Sequence, residues 1–163
     1  MDLIVVRHAK SLHEEYVSRD MERHLFERGY KDAAITVDWC ISKKIRPDFI
    51  ISSPAIRAFS TALIFANKLG FSPEKIQLKN AIYEATVQNL LLVLEETMVK
   101  EGAYMIFGHN PGFTDLVNYL CGPVLVNLPT AAVVHIRLNN VLVRRWSQGS
   151  AVVLQHFSGH KSF

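Results

Sequence analysis

The chain has 163 residues, 49% of them hydrophobic and 20% charged, with a formal net charge of +3; this excludes disordered and fibrous classes and fits one domain spanning 1–163. Its dense basic clusters, Lys43-Lys44-Ile45-Arg46 and Arg144-Arg145, are too short for a nucleic-acid footprint, and no apolar run approaches the roughly 20 residues of a membrane span, so neither nucleic acid nor membrane is expected as a partner. Cys40 and Cys121 lie far apart with no CxxC pairing, as small core hydrophobes in a reducing compartment do, and a cytoplasmic monomer is expected.

In chain order, Leu3-Ile4-Val5-Val6 is wholly apolar and ends abruptly in Arg7-His8. Such a run reads as a strand buried on both faces of a mostly parallel sheet, where ligands sit beyond the carboxyl ends of the strands. His13 to Arg23 is polar and carries Glu14, Glu15, Asp20 and Glu22, so a loop or irregular helical excursion is expected there. Glu27 to Lys44 sets Ala34, Val37, Cys40 and Ile41 on one helical face and Lys31, Asp32, Asp38 and Lys43 opposite. Phe49–Ser52 reads as a second buried strand. Ser53-Pro54 signals a helix over Pro54–Leu69, with Ile56, Leu63 and Phe65 among its apolar positions and Gly70 as its stop.

Further on, Ile76–Leu78 predicts a short strand, Val87–Glu101 a third helix, and Ala103–Phe107 another buried strand, which ends in Gly108-His109-Asn110-Pro111-Gly112. Phe113–Leu120 predicts a helix leaving that loop. Ala131–Leu138 and Val141–Trp146 flank Asn139-Asn140 as a hairpin would, and Ala151–Phe157 is the last strand. The alternation predicts an α/β fold, a three-layer α/β/α sandwich with a mostly parallel central sheet.

Three of these strands end in reactive groups: Arg7-His8, Ser52-Ser53-Pro54 with Arg57 one turn on, and Gly108-His109. Parallel strands bring such ends to one sheet edge. Two arginines and two histidines converging there suit a dianionic tetrahedral ligand, because guanidinium forks bind phosphate oxygens in pairs and helix N-termini add N–H donors. The chain has no GxxxxGK[ST], HExxH or GxSxG, and a neutral imidazole can attack phosphorus, so histidine is the expected nucleophile. The second histidine and the arginines would stabilise the charge that develops during transfer. No metal or cofactor is expected; His156 and His160 are separated by Ser158-Gly159, which breaks the helix a metal pair would need.

Over nearly its whole length the chain resembles the histidine phosphatase superfamily, which has the phosphoglycerate-mutase-like fold, and within it the small SixA-type phosphohistidine phosphatases. Arg7-His8-Ala9-Lys10-Ser11 resembles the family's Arg-His-Gly or Arg-His-Ala opening, Ser52 to Ala58 its second arginine motif, and Gly108 to Gly112 its second histidine motif. The resemblance implies that His8 is the phosphorylated nucleophile, that Arg7, Arg57 and His109 form the phosphate pocket, and that Ser11 and Asn110 add hydrogen bonds. Arg23 to Gly29 resembles the SixA-type Arg-Pro-Leu-Thr-x-x-Gly segment, with His24 in place of the proline, which makes Arg23 a further phosphate ligand. Glu84 falls where larger relatives carry the acid that protonates a leaving oxygen.

Only 24 residues separate Glu84 from His109, room for one helix and one strand but not for the lid helices of relatives that act on sugars and glycerates. The expected substrate is therefore phosphate-bearing and accessible at an open site, such as a phosphohistidine on a protein. A small-molecule phosphomonoesterase with the same residues, and a weakly catalytic phosphate-binding adaptor, remain as alternatives.

Overall fold

The run Leu3–Val6 has no exposed surface and lies inside a six-stranded sheet whose strands stand in the order Gln77–Leu78, Phe49–Ser52, Ala103–Gly108, Asp2–Arg7, Val133–Leu138, Ala151–Phe157. The structure is a computed structural model and describes residues 1–13, 15, 18–139 and 147–159. In chain order the elements are β1 (Asp2–Arg7), α1 (Glu27–Ser42), β2 (Phe49–Ser52), α2 (Ile56–Leu69), β3 (Gln77–Leu78), α3 (Val87–Thr97), β4 (Ala103–Gly108), α4 (Gly112–Cys121), β5 (Val133–Leu138) and β6 (Ala151–Phe157). Strands β3, β2, β4 and β1 run parallel, and β5 and β6 add antiparallel pairs beside β1.

Because successive strand residues face opposite ways, the sheet builds two cores. Leu3, Val5, Tyr104 and Ile106 pack with Leu90, Leu94, Phe113 and Val117 of α3 and α4. Ile4, Val6, Met105 and Phe107 pack with Val37, Cys40, Ala62 and Phe65 of α1 and α2. The three-layer expectation holds: helices cover both faces.

Some boundaries and faces differ from those the sequence predicts. The α1 face toward the core is Ala33, Thr36, Val37 and Cys40 together with Asp32; Ile41 is exposed and Ala34 only half-buried. Arg28, one turn earlier, lies 3.5 Å from the Asp32 carboxylate. α2 begins at Ile56 rather than Pro54, and Ser53 takes another role described below. α3 ends at Thr97 rather than Glu101, because Met98 leaves the helical region at ψ 58°; Gly102 then turns the chain at φ 148°, and Asp48 accepts the Ala103 N–H at 2.8 Å. β5 starts two residues late, since Ala131 sits at φ 58° with its N–H on the His8 carbonyl. The strand expected over Val141–Trp146, the Arg144-Arg145 pair and His160 lie outside the described residues.

Strand register levels the chemistry-bearing ends. Arg7 stands opposite Gly108 and Ser52 opposite Phe107; beyond them the His8 N–H donates to the Gly108 carbonyl at 3.0 Å and the Ser53 N–H to that of Phe107 at 2.9 Å. Gly108 is a steric requirement, because a Cβ there would lie 2.5 Å from the Phe113 ring and 2.7 Å from Ile82. Among the described residues no helix is long and apolar enough to cross a membrane.

Candidate active site

The ends of β1, β2 and β4 open into a cavity of about 440 Å³ lined by Arg7, His8, Lys10, Ser11, His13, Asp20, Arg23, Arg57, Glu84, His109, Asn110 and Thr130. All eight residues singled out from the sequence are in that lining. Its four cations, Arg7, Lys10, Arg23 and Arg57, outnumber two carboxylates, Asp20 and Glu84. A wall of that composition favours an anion.

His8 is almost completely buried, and its Nδ1 lies 2.8 Å from the Ala9 carbonyl oxygen. A carbonyl can only accept, so Nδ1 carries the proton and the lone pair is on Nε2. Burial lowers the His8 pKa to about 3; the Ala9 carbonyl opposes this, and the charges of His109, Arg57 and Arg7 reinforce it. The ring is neutral at pH 7.

His109 lies 5.1 Å from His8 between ring centroids, and Tyr83 meets it edge-on at 5.5 Å. Burial and the Arg57 charge lower its pKa to about 3, with Asp20 opposing. Its Nε2 is 2.8 Å from Ser53 Oγ, which also accepts the Ala55 N–H at 3.3 Å. Accepting from Ala55 leaves the Ser53 hydroxyl proton free to point at Nε2; in that arrangement the His109 proton is on Nδ1, a buried atom with no partner among the described residues. Ser53, read from sequence as a helix-start signal, thus orients a site histidine.

The arginines are held by protein acceptors. Arg7 Nη1 donates to the Leu128 carbonyl at 2.8 Å, and the Asn110 amide nitrogen reaches the same carbonyl at 2.9 Å and Asn127 at 2.8 Å. Arg57, in the first turn of α2, donates from Nη1 to the Asp20 carbonyl at 2.6 Å and from Nη2 to Asp20 Oδ2 at 2.7 Å. Arg23 donates to Asp20 Oδ1 at 2.9 Å and to Ser11 Oγ at 2.8 Å. Tyr83 donates its hydroxyl to Asp20 Oδ2 at 2.7 Å. Glu84 adopts φ 49° where it lines the cavity.

Asp20, Tyr83 and Ser53 hold site side chains in roles the sequence alone did not single out, and Lys10, His13 and Thr130 line the cavity without having been singled out either. Asp20 lies in a polar stretch that reads as a loop or irregular helical excursion and gives no role to any one of its acidic residues, and its partners Arg57 and Tyr83 are 37 and 63 residues away.

A cysteine nucleophile is excluded on structural grounds, although Cys40 and Arg46 stand at the Cys-x5-Arg spacing of cysteine-based phosphatases. Cys40 has no exposed surface in α1, is absent from the cavity lining, and burial pushes its thiol up to about 12; no thiolate is available there. Among the described residues no group of three His, Cys, Asp or Glu side chains could hold a metal ion.

Residues 3–97 match the family model of the histidine phosphatase superfamily, branch 1. The chain belongs to that superfamily. Among solved structures, this histidine phosphatase is similar to the Agrobacterium tumefaciens protein assigned as phosphohistidine phosphatase SixA, at 22% identity and a TM-score of 0.81, covering 96% of this chain and 97% of that one. It is similar to the protein histidine phosphatase SixA complexed with tungstate, at 18% identity, 97% coverage of both chains and a TM-score of 0.81. A mycobacterial glucosyl-3-phosphoglycerate phosphatase aligns at 13% identity over 96% of this chain and 97% of its own, with a TM-score of 0.67. At these identities the likeness is one of fold, the phosphoglycerate-mutase-like arrangement of SixA. No curated protein sequence matches the chain.

Proposed function

We propose that this histidine phosphatase hydrolyses phosphohistidine on a protein through a covalent phosphohistidine intermediate on His8. The observation that carries the reading is the hydrogen bond from His8 Nδ1 to the Ala9 carbonyl, which aims the Nε2 lone pair of a neutral ring at a cavity walled by guanidiniums. Nε2 attacks phosphorus, the new N–P bond replaces the bond to the leaving group, and Glu84 supplies the proton the leaving atom needs. Water then attacks phospho-His8, its proton returns to Glu84, and inorganic phosphate leaves.

Arg7, Arg23, Arg57 and His109 stabilise the charge on the transferring oxygens, so the route needs no metal. Ser11 and Asn110 act chiefly by holding Arg23 and the Leu128 carbonyl that anchors Arg7. The protein-borne substrate is supported by the short connection between Glu84 and His109, which forms only α3 and β4 and places no lid over the cavity. It is supported too by a higher fold similarity to SixA than to the sugar-phosphate phosphatase.

The test is phosphate release from a phosphohistidine peptide and from an aryl phosphate, with wild type and His8→Ala and an acid-labile phosphoenzyme trapped by rapid quench. Release that vanishes in His8→Ala, with label on His8 and faster turnover of the peptide, is the expected result. Faster turnover of small phosphates would reassign the substrate, and phosphate binding without turnover would make the protein a binding module.

A further inference from the structure

We propose that Asp20 is a positioning residue of the phosphate site: its carboxylate and main-chain carbonyl grip the two Nη atoms of Arg57, and the same carboxylate ties that guanidinium to Arg23 and Tyr83. The inference rests on the phosphatase reading and gives a role to the one acidic residue at the centre of the cationic wall.

Asp20 is in contact with three side chains of the site. Its carboxylate accepts from Arg57 Nη2, Arg23 Nη1 and Tyr83 OH within 2.9 Å, and its carbonyl accepts both Arg57 Nη1 at 2.6 Å and the Arg23 N–H at 3.2 Å. The short 3-10 turn Asp20–Glu22 is therefore wound around Arg57. Its supporting segment is closed at the neck, where Leu12 N–H meets the His24 carbonyl, Phe26 N–H meets that of Lys10, and Ser11 bridges Leu25.

Two guanidiniums in one cavity repel one another, and repulsion costs more as water is excluded. A carboxylate between them offsets that cost and fixes both forks before substrate arrives, which is what electrostatic preorganisation requires. Arg57 is only 6% exposed, and Asp20 takes its end-on edge while Nε remains buried without a partner among the described residues. The side-on edge, Nε with the second hydrogen of Nη2, is left for an anion. Asp20 also acts on the His109 side of the site: its charge is among those felt by His109, whereas the charges acting most on His8 come from His109, Arg57 and Arg7. The carboxylate thus stands behind the arginines rather than over the nucleophile.

The rival physical reading is that Asp20 competes with phosphate for the same guanidiniums, and it has the opposite sign. The experiment compares the full chain as wild type, Asp20→Ala, Asp20→Asn, Tyr83→Phe and Glu22→Gln, the last altering an exposed carboxylate of the same turn. Steady-state kcat and KM are measured on an aryl phosphate, the Kd of inorganic phosphate by calorimetry, and the thermal midpoint without phosphate. Asp20→Ala lowers kcat roughly 10- to 100-fold, more than it raises KM, and weakens phosphate several-fold; Tyr83→Phe moves both the same way by less, and Glu22→Gln matches wild type. Asp20→Asn, which keeps the side chain's size, carries the comparison if the alanine variant does not fold.

Tighter phosphate binding or undiminished kcat in the Asp20 variants overturns the proposal, as does an equal loss in Glu22→Gln. If wild type hydrolyses nothing, the phosphatase reading fails by itself and the phosphate Kd alone judges Asp20: weaker binding in the variants upholds it, and equal binding or none in wild type sinks it.

Discussion

The imidazole rings of His8 and His109 lie 5.1 Å apart, inclined at 54°, and both are held neutral with pKa values lowered to about 3, chiefly by burial. Each ring has one nitrogen committed to the protein, Nδ1 of His8 on Ala9 and Nε2 of His109 on Ser53. The opposite nitrogens are left for the anion, a lone pair from His8 and a proton from His109. A charged His8 could not attack, so burial of the pair is part of the chemistry as well as of the core.

Ring ¹⁵N chemical shifts should therefore report two neutral histidines of the same Nδ1–H tautomer from pH 8 down to pH 5. Binding of phosphate should draw the His109 pKa upward, because the dianion opposes the burial that lowers it. Imidazolium shifts for His8 at pH 6 in the anion-free protein would contradict the tautomer and charge assigned here.

Arg57→Lys tests whether a fork or only a charge is needed. Lysine keeps the charge but lacks the planar fork that presents one edge to Asp20 and another to an anion, so kcat should fall on the order of 100- to 1,000-fold, as for loss of one oxyanion donor. Added phosphate, which raises the thermal midpoint of wild type by mass action, should raise that of the variant much less. An active variant with full phosphate stabilisation would show that charge alone suffices.

The strand ends were legible in the sequence because each chemistry-bearing group directly follows an apolar run: Arg7-His8 after Leu3–Val6 and His109 after Ala103–Phe107. Parallel topology then forces them to one edge, so Arg7, His8, Arg57 and His109 follow from local pattern plus one rule of sheet geometry, whereas Ser11, Arg23, Glu84 and Asn110 were reached only through the family resemblance. Asp20 was not legible, since its partners come from α2 and from Tyr83 and only closure of the 11–25 segment brings them together. Ser53 was legible as a strand-end and helix-start residue, and its hydroxyl does accept the Ala55 N–H, but its reach to His109 comes from a different strand and shows only in the fold. The core face of α1 lies one position earlier than the apolar spacing suggests, since Ala33, Thr36, Val37 and Cys40 face the sheet, with Asp32 buried beside them.

Gly108→Ala should destabilise the fold and misplace His109 together. The added methyl would overlap the Phe113 ring and Ile82, both rigidly packed, and overpacking of this kind costs about 1–3 kcal/mol. Urea unfolding should show the loss in midpoint with little change in slope, and kcat should drop as the neighbouring histidine shifts. Unchanged stability would mean that α4 yields more readily than its packing implies.

Acid should begin to destabilise the protein above the carboxylate range. An unfolded histidine titrates near 6.5, whereas His8 and His109 in the fold do so only at about 3. Between these values the unfolded chain binds protons that the folded one does not, so stability falls as pH drops from about 6.5 toward 3 and is unaffected by these two groups above that window. Asp20 adds to the loss at lower pH. Burial would raise its carboxyl, but the hydrogen bonds from Tyr83 and Arg57 and the charges of Arg57 and Arg23 outweigh it and hold the pKa below the usual value; the stability it contributes is present above about 4 and lost as pH falls through its folded value. Urea midpoints should thus be level from pH 8 to 7 and decline from pH 6 to 4, with a shallower decline in His109→Gln, which removes one of the two histidines. A midpoint that holds steady down to pH 4.5 would show that the buried rings take up protons in the fold after all.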